Sequence, residues 1–369
     1  MESKSITAWQ MFLLVFSYTL GTAIFLRPGE LIFTTKQDAW LVPLWCGLLA
    51  TVLAIFWLLL ARKFHGQSIV QICVTVLGKK AGTLFGLLYA WYFIHLSSWV
   101  VRNLGDFMSA TIMPRTPITS FHLLFLLVCT YAVIQGIRTI GRVSEFLTPL
   151  IFLTFSLVWI TRGGDWNFER FLPVFELDLW KSIVENRQML AFPFMETSAF
   201  LMIFPLVHDG KYVKPFLKGI VLSSLTLSLV TFLTIGILGV VRASHLTYPL
   251  FTIAKEIDFG NFIQHVEATT TMFWIFAIFV KLTVSFYCAT LALCQLFHIQ
   301  KRGVVAFPLI WLIAGIALSD HANVVEMMDW DHKYDFAYQL LYSLFIPLLL
   351  IAVSWMRRNH VRHGSEESV

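Results

Sequence analysis

Five charged side chains fall inside or near the ends of long apolar runs: Arg102, Asp106, Glu145, Glu196 and Lys281. Glu196 and Lys281 stand deepest, and neither has an opposite charge three or four residues away, so on a helix each must find its partner on another segment. A carboxylate and an ammonium group brought together away from water neutralise one another, and opened they could hold the two ends of a dipolar molecule. The other reading is local: each side chain snorkels, or bonds to backbone freed nearby. Arg102 and Asp106 are four apart, share a helix face and read as a structural ion pair rather than a gate. Arg142 and Glu145 lie close to the end of their run and read as a loop anchor.

The stretch "SDHANVVEMMDWDHKYD" gathers Asp320, His321, Glu326, Asp329, Asp331, His332 and Asp335. Oxygen-rich clusters can bind divalent cations, but this spacing matches no cation loop. It reads as an acidic, solvated connection with no metal. There is no Ser-His-Asp or Cys-His set at depth, no phosphate-binding glycine loop and no nucleic-acid signature, so neither an enzyme, a cofactor nor a nucleic-acid partner is expected. The five cysteines are odd in number, lack paired spacing and read as packing residues.

What positions these residues follows from composition. Of 369 residues 57% are hydrophobic and 13% charged, with a mean hydropathy of +0.74, far from the charge content of soluble domains. The chain is expected to be an all-α integral membrane protein, a single polytopic domain over 1–369 whose surroundings are the lipid bilayer. Runs long enough to cross a ~30 Å hydrocarbon core fall at about 8–33, 39–61, 81–112, 120–136, 143–161, 188–208, 215–241, 267–296, 303–319 and 337–356. The first run is too long for a removable signal peptide. Ten spans put both termini on one side, and 15 Lys and Arg on that side against 10 on the other make it the cytoplasm. The connection after span five, "GGDWNFERFLPVFELDLWKSI", suits either a short interfacial helix or a solvated loop. The connection after span seven suits a short helix from Pro249 to near Gly260. The tail over 357–369 is expected to be disordered and cytoplasmic.

Span one reads "FLLVFSYTLGTAIFLRPGELIF" and span six "RQMLAFPFMETSAFLMIFPLV". Gly21-Thr22 and Pro193 fall near mid-membrane, where glycine eases departure from helical dihedrals and proline removes a donor. Either could be a simple kink. Occurring at matching places five spans apart, they point instead to two discontinuous helices and a binding site between halves of about 8–161 and 188–356. Amides at Gly21, Thr22, Ala23 and Ile24, opening the outer half-helix, would favour a carboxylate. Pro193, Phe194, Met195 and Glu196 would present freed backbone and a negative charge to an ammonium group. Tyr18, Tyr92, His95, Ser97, Ser98, Trp99, Lys281, Ser285 and Tyr287 complete the expected lining.

The blocks "ITAWQMFLLVFSYTLGTAIFLRPG", "QDAWLVPLWCGLLA", "LGKKAGTLFGLLYAWYF", "VVRNLGDFMSATIMPRTP", "IRTIGRVSEFLTPLI" and "YPLFTIAKEIDFGNFIQHVEA" resemble the GerAB family of spore-germination proteins. The resemblance covers almost the whole chain; "FIQHVEA" departs from it near Gln264, where an arginine would be expected. It implies the B subunit of a nutrient-germinant receptor, similar to permeases of the amino acid–polyamine–organocation superfamily, with a LeuT-like inverted repeat of five plus five helices. It further implies a small nutrient ligand, an amino acid, and as partners an A-type membrane subunit and a C-type lipoprotein in the inner spore membrane. The same site physics would serve a self-sufficient amino acid permease, proton-coupled through Glu196 or with Lys281 replacing a sodium ion.

Overall fold

The structure is a computed structural model that describes residues 6–176, 178–257, 266–321 and 323–366. Thr7 caps the first helix in a reciprocal box: its hydroxyl accepts from the Gln10 N–H and Gln10 Oε1 accepts from the Thr7 N–H, each at 3.1 Å. That helix, α1 (Ala8–Leu20), stops at Gly21, whose φ of 14° and ψ of −110° lie outside helical space. Helix α2 (Ala23–Thr35) restarts immediately. A 3₁₀ turn leads into α3 (Val42–Lys63). Helix α4 (Ile69–Leu77) lies between this and the long α5 (Lys79–Phe107), which a π-helical turn extends to Ile112. Helices α6 (Ile118–Gln135) and α7 (Ile137–Arg162) complete the first half.

The second half opens with the short α8 (Leu179–Glu185) and α9 (Arg187–Met189). From Leu190 the backbone loses α-regularity: Phe192 is extended (φ −112°, ψ 117°), and 3₁₀ turns carry the chain through Met195–Met202 and Phe204–Leu206. Then follow α10 (Val213–Leu238), α11 (Val240–Ser244), α12 (Pro249–Lys255), α13 (Val266–Leu296) and α14 (Arg302–Ser319). A last helical run comprises α15 (Val324–Trp330), α16 (Phe336–Leu340) and α17 (Ile346–Glu366), joined by π-helical turns at Asp331–Asp335 and Leu341–Phe345.

Among the described residues eight helical segments are long and apolar enough to cross a bilayer. The two expected spans missing from that set are one and six, whose breaks leave α1 and the 187–206 stretch too short or too irregular to qualify. Exposed Leu48, Val52, Ile55, Leu124, Val128 and Trp311 on the outward helix faces suit contact with lipid. The chain is a multi-pass membrane protein.

Three expectations about the connections change. Helix α12 ends at Lys255, earlier than expected; Gly260 and Gln264 lie outside the described residues. The polar tail was expected to be disordered, but α17 continues to Glu366, its Arg-rich end simply extending an established helix. The acidic stretch was expected to be a solvated connection. Residues 324–335 instead belong to the last helical run, because Asn323 caps it by accepting the Glu326 N–H at 3.0 Å, and Asp335 is buried.

The broken segments are tied together on the face where the chain begins. Ile6 forms an isolated parallel bridge with Val207, the His208 N–H donating to Ile6 O at 2.9 Å and the Ile6 N–H to Leu206 O at 3.4 Å. On the opposite side α2 packs closely against the segment after α11: a Cβ built on Gly29 would stand 2.3 Å from Leu246 O, a backbone atom. Gly29→Ala is therefore expected to push α2 away and cost about 1–3 kcal/mol, read as a lower Tm for the detergent-solubilised protein. An unchanged Tm would mean the contact is not needed.

Candidate functional site

The two breaks meet around Lys281. Its stem on α13 packs against Gly21, where an added Cβ would stand 2.6 Å from Lys281 Cδ. Its Nζ lies 2.5 Å from Glu196 Oε2, 4.2 Å from the Phe192 ring centre and 5.5 Å from that of Tyr18. Lys281 is 0% and Glu196 2% exposed. The approach lies outside hydrogen-bond alignment, and neither Nζ nor Oε2 has another hydrogen-bond partner among the described residues. It is a close, buried ion contact with spare bonding capacity at both ends. Tyr18 braces it from below, its hydroxyl donating to Glu196 O and accepting from Ser285 Oγ, each at 3.4 Å.

A cavity opens from this pair toward the side away from Ile6. About 590 Å³ of space, part of it open to solvent, is bounded by Thr22, Leu26, Arg27 and Glu30 from α2, by Trp99, Val100 and Asn103 from α5, and by Phe192, Glu196 and Lys281. Val324, Met327, Met328, Trp330 and Asp331 from the last helical run close the remaining wall. The Thr22 hydroxyl at its floor is buried and has no hydrogen-bond partner among the described residues. The N–H groups in the first turn of α2, at Ala23 and Ile24, have no acceptor within their own helix.

Of the residues expected to line a site, Thr22, Glu196, Lys281 and Trp99 border the cavity. Gly21, Ala23, Ile24, Pro193, Phe194 and Met195 form the two breaks around it without bordering it, and most are fully buried. Tyr92 turns toward the last helical run, donating to Gln339 Oε1 at 2.7 Å. Ser97 and Ser98 donate back to Phe93 O and His95 O within α5. Tyr287 lies beside the Arg302 guanidinium, 5.7 Å from ring centre to Cζ, at the other end of α13. His95 bonds Asp320 at 2.8 Å and approaches the Tyr338 hydroxyl at 3.1 Å. The His95 ring holds the Asp320 carboxyl below its ordinary range. Arg102 pairs with Asp106 at 2.9 Å and also donates to Ala317 O and His321 O, fastening α5 to the end of α14. Glu145 accepts from Gln10 Nε2 at 3.1 Å, anchoring α7 to α1.

Arg27 is the site residue that the sequence reading passed over. It is 2% exposed, and its guanidinium donates to Phe192 O at 3.1 Å and Gln188 O at 3.2 Å, contacts Glu30, and pairs with Asp331 Oδ2 at 2.8 Å. One planar fork thus joins α2, α9 with the irregular stretch that follows it, and the last helical run across the cavity wall. Its partner Asp331 lies in the acidic stretch that was expected to be solvated.

Residues 5–324 match the family described as "Spore germination protein". "Spore germination protein KB" of Bacillus subtilis (strain 168) is 26% identical over 380 residues, covering 100% of both chains. "Spore germination protein B2" of the same organism is 23% identical and covers 97% of both. Among solved structures, that of MhsT in complex with L-phenylalanine superposes with a TM-score of 0.65 at 14% identity, over 96% of this chain and 99% of that one. A substrate-bound, outward-open Na⁺-coupled sialic acid symporter superposes at 0.63 and 13%, over 94% and 76%. At such identities the likeness shows the fold alone, and that fold is LeuT-like.

Proposed function

The chain belongs to the spore germination protein family, and from that premise we propose that it is the B-type membrane subunit of a nutrient-germinant receptor, taking a small zwitterion, an amino acid, between its two broken helices. The observation that carries the reading is the Lys281–Glu196 pair, buried between the breaks at the edge of the cavity. A ligand carboxylate would take Lys281, the Thr22 hydroxyl and the first-turn amides of α2, while its ammonium group would take Glu196. Binding then exchanges one internal ion pair for two external ones at the same depth, so the bound and free states differ where the helices are least regular. L-phenylalanine, bound in the structural neighbour MhsT, is of this chemical class. The partners are an A-type membrane subunit and a C-type lipoprotein, the membrane is the inner one of the spore, and the basic excess supports cytoplasmic termini.

A second reading, a self-sufficient amino acid permease, is favoured by the LeuT-like fold and its symporter neighbour. Two measurements separate the readings. Spores lacking the chain are expected to lose their response to one or a few amino acids of a panel. The purified chain in liposomes is expected to bind the same labelled amino acids without accumulating them. Accumulation by the chain alone would favour the permease, and an unaltered germination panel together with no amino acid binding would refute the zwitterion site.

A further inference from the structure

Asp335 is the least exposed carboxylate among the described residues, at 0%. It sits in the π-helical turn Asp331–Asp335, between the cavity wall and the bundle interior. Its Oδ1 accepts from Gln339 Nε2 at 3.1 Å. The orientation of that amide is fixed, because Gln339 Oε1 is taken by the Tyr92 hydroxyl at 2.7 Å. Its Oδ2 is buried and meets no hydrogen-bond donor among the described residues. Four residues earlier in the same turn stands another carboxyl on the same side of the helix, that of Asp331.

The groups facing Asp335 come from every neighbouring element. Asp331 and Tyr338 belong to its own helical run, Glu196 to the 3₁₀ stretch, Arg27 to α2 and Lys281 to α13, while Tyr92 of α5 is reached through Gln339. Both cations are already engaged, Arg27 by Asp331, Glu30 and two carbonyls, and Lys281 by Glu196. Two cations and the His332 ring, 3.3 Å from Glu30, therefore stand among four carboxylates, and the most buried of the four is the one without a cationic contact among the described residues. Two carboxyl groups hydrogen-bond to each other only when one of them keeps its proton. A metal cation would need several oxygens, and here one oxygen of Asp335 is free.

We propose that Asp335 is a proton-binding site: in the resting protein its carboxyl is neutral, Oδ2–H donates to Asp331, and the proton exchanges with the cavity by way of Asp331. Release breaks the Asp335 O–H bond, places the proton on the Asp331 carboxylate and from there on cavity water, and leaves Asp335 ionised. Asp331 is suited to the relay because it borders the cavity and its side chain is 21% exposed.

The test is infrared spectroscopy of the full-length protein in lipid, and it needs no ligand, so it stands or falls apart from the proposed function. The wild type at neutral pH is expected to show the carbonyl stretch of a protonated carboxyl group that shifts in D₂O. Asp335→Asn should lack this band while melting at the wild-type temperature, since an amide can accept from Gln339 and donate to Asp331. If Asp335→Asn does not accumulate, Asp335→Glu replaces it: a displaced band supports the assignment and an unmoved one overturns it. Absence of the band from the wild type would overturn it as well. So would a band that survives in Asp335→Asn but vanishes in Glu196→Gln, or one that disappears when sodium replaces choline as the buffer cation, which would mark a metal rather than a proton.

Discussion

Lys281→Met is expected to destabilise the protein by about 3–5 kcal/mol, because it leaves the Glu196 carboxylate buried and without the cation that touches it. Glu196→Gln, which strands the ammonium group beside the Phe192 and Tyr18 rings, should cost a similar amount. The informative result is the double variant. Removing both charges also removes the cost of desolvating them, so Glu196→Gln/Lys281→Met should melt close to the wild type, well above either single variant. Amino acid binding should not recover with it, since both ends of the proposed zwitterion clamp are gone. Melting temperatures in detergent and binding of labelled amino acids check the two halves separately. Strictly additive losses of stability would mean that each charge is satisfied locally and that the contact carries no coupling.

Arg27→Met should have an effect of the same order, about 3–5 kcal/mol, for a different reason. It leaves Asp331, Glu30 and the carbonyls of Phe192 and Gln188 facing one another around an apolar side chain. Arg27→Lys separates charge from geometry: a single ammonium group keeps the attraction to Asp331 but cannot also reach two carbonyls in the plane of a fork. It is expected to fall between Arg27→Met and the wild type. The cavity wall should loosen in the same order, read as faster labelling of a cysteine introduced at Met328, which borders the cavity. Equal melting and labelling in all three proteins would show that Arg27 does not hold the wall.

Much of the site was legible in the sequence because it violates the composition around it. Gly21-Thr22 and Pro193 interrupt apolar runs that otherwise need no interruption, and Glu196 and Lys281 are charges where charge is most costly. Arg27 and Asp331 sit near the ends of their runs, where charged residues are ordinary, and their contact joins positions 304 residues apart. No local pattern reports such a pairing. Asp335 was hidden differently: Asp, His and Lys alternating with Trp and Tyr read as a loop, and only the helix capped by Asn323 turns Asp335 into the interior and Asp331 onto the cavity wall while Asp329, His332 and Lys333 stay exposed. Helix α4 did carry a local signal that was not used, the reciprocal cap between Ser68 and Gln71. The lining on α5 was expected from residue type alone, and type does not say which way a serine points. Ser97 and Ser98 spend their hydroxyls on their own helix.

The short pairing of Ile6 with Val207 has a mechanical consequence. It couples the starting end of the first broken helix to the finishing end of the second, while Arg27 cross-links the same two segments on the far side of the cavity. Clamped at both extremities, the two segments cannot slide independently. A displacement begun where they are interrupted must therefore be shared by both.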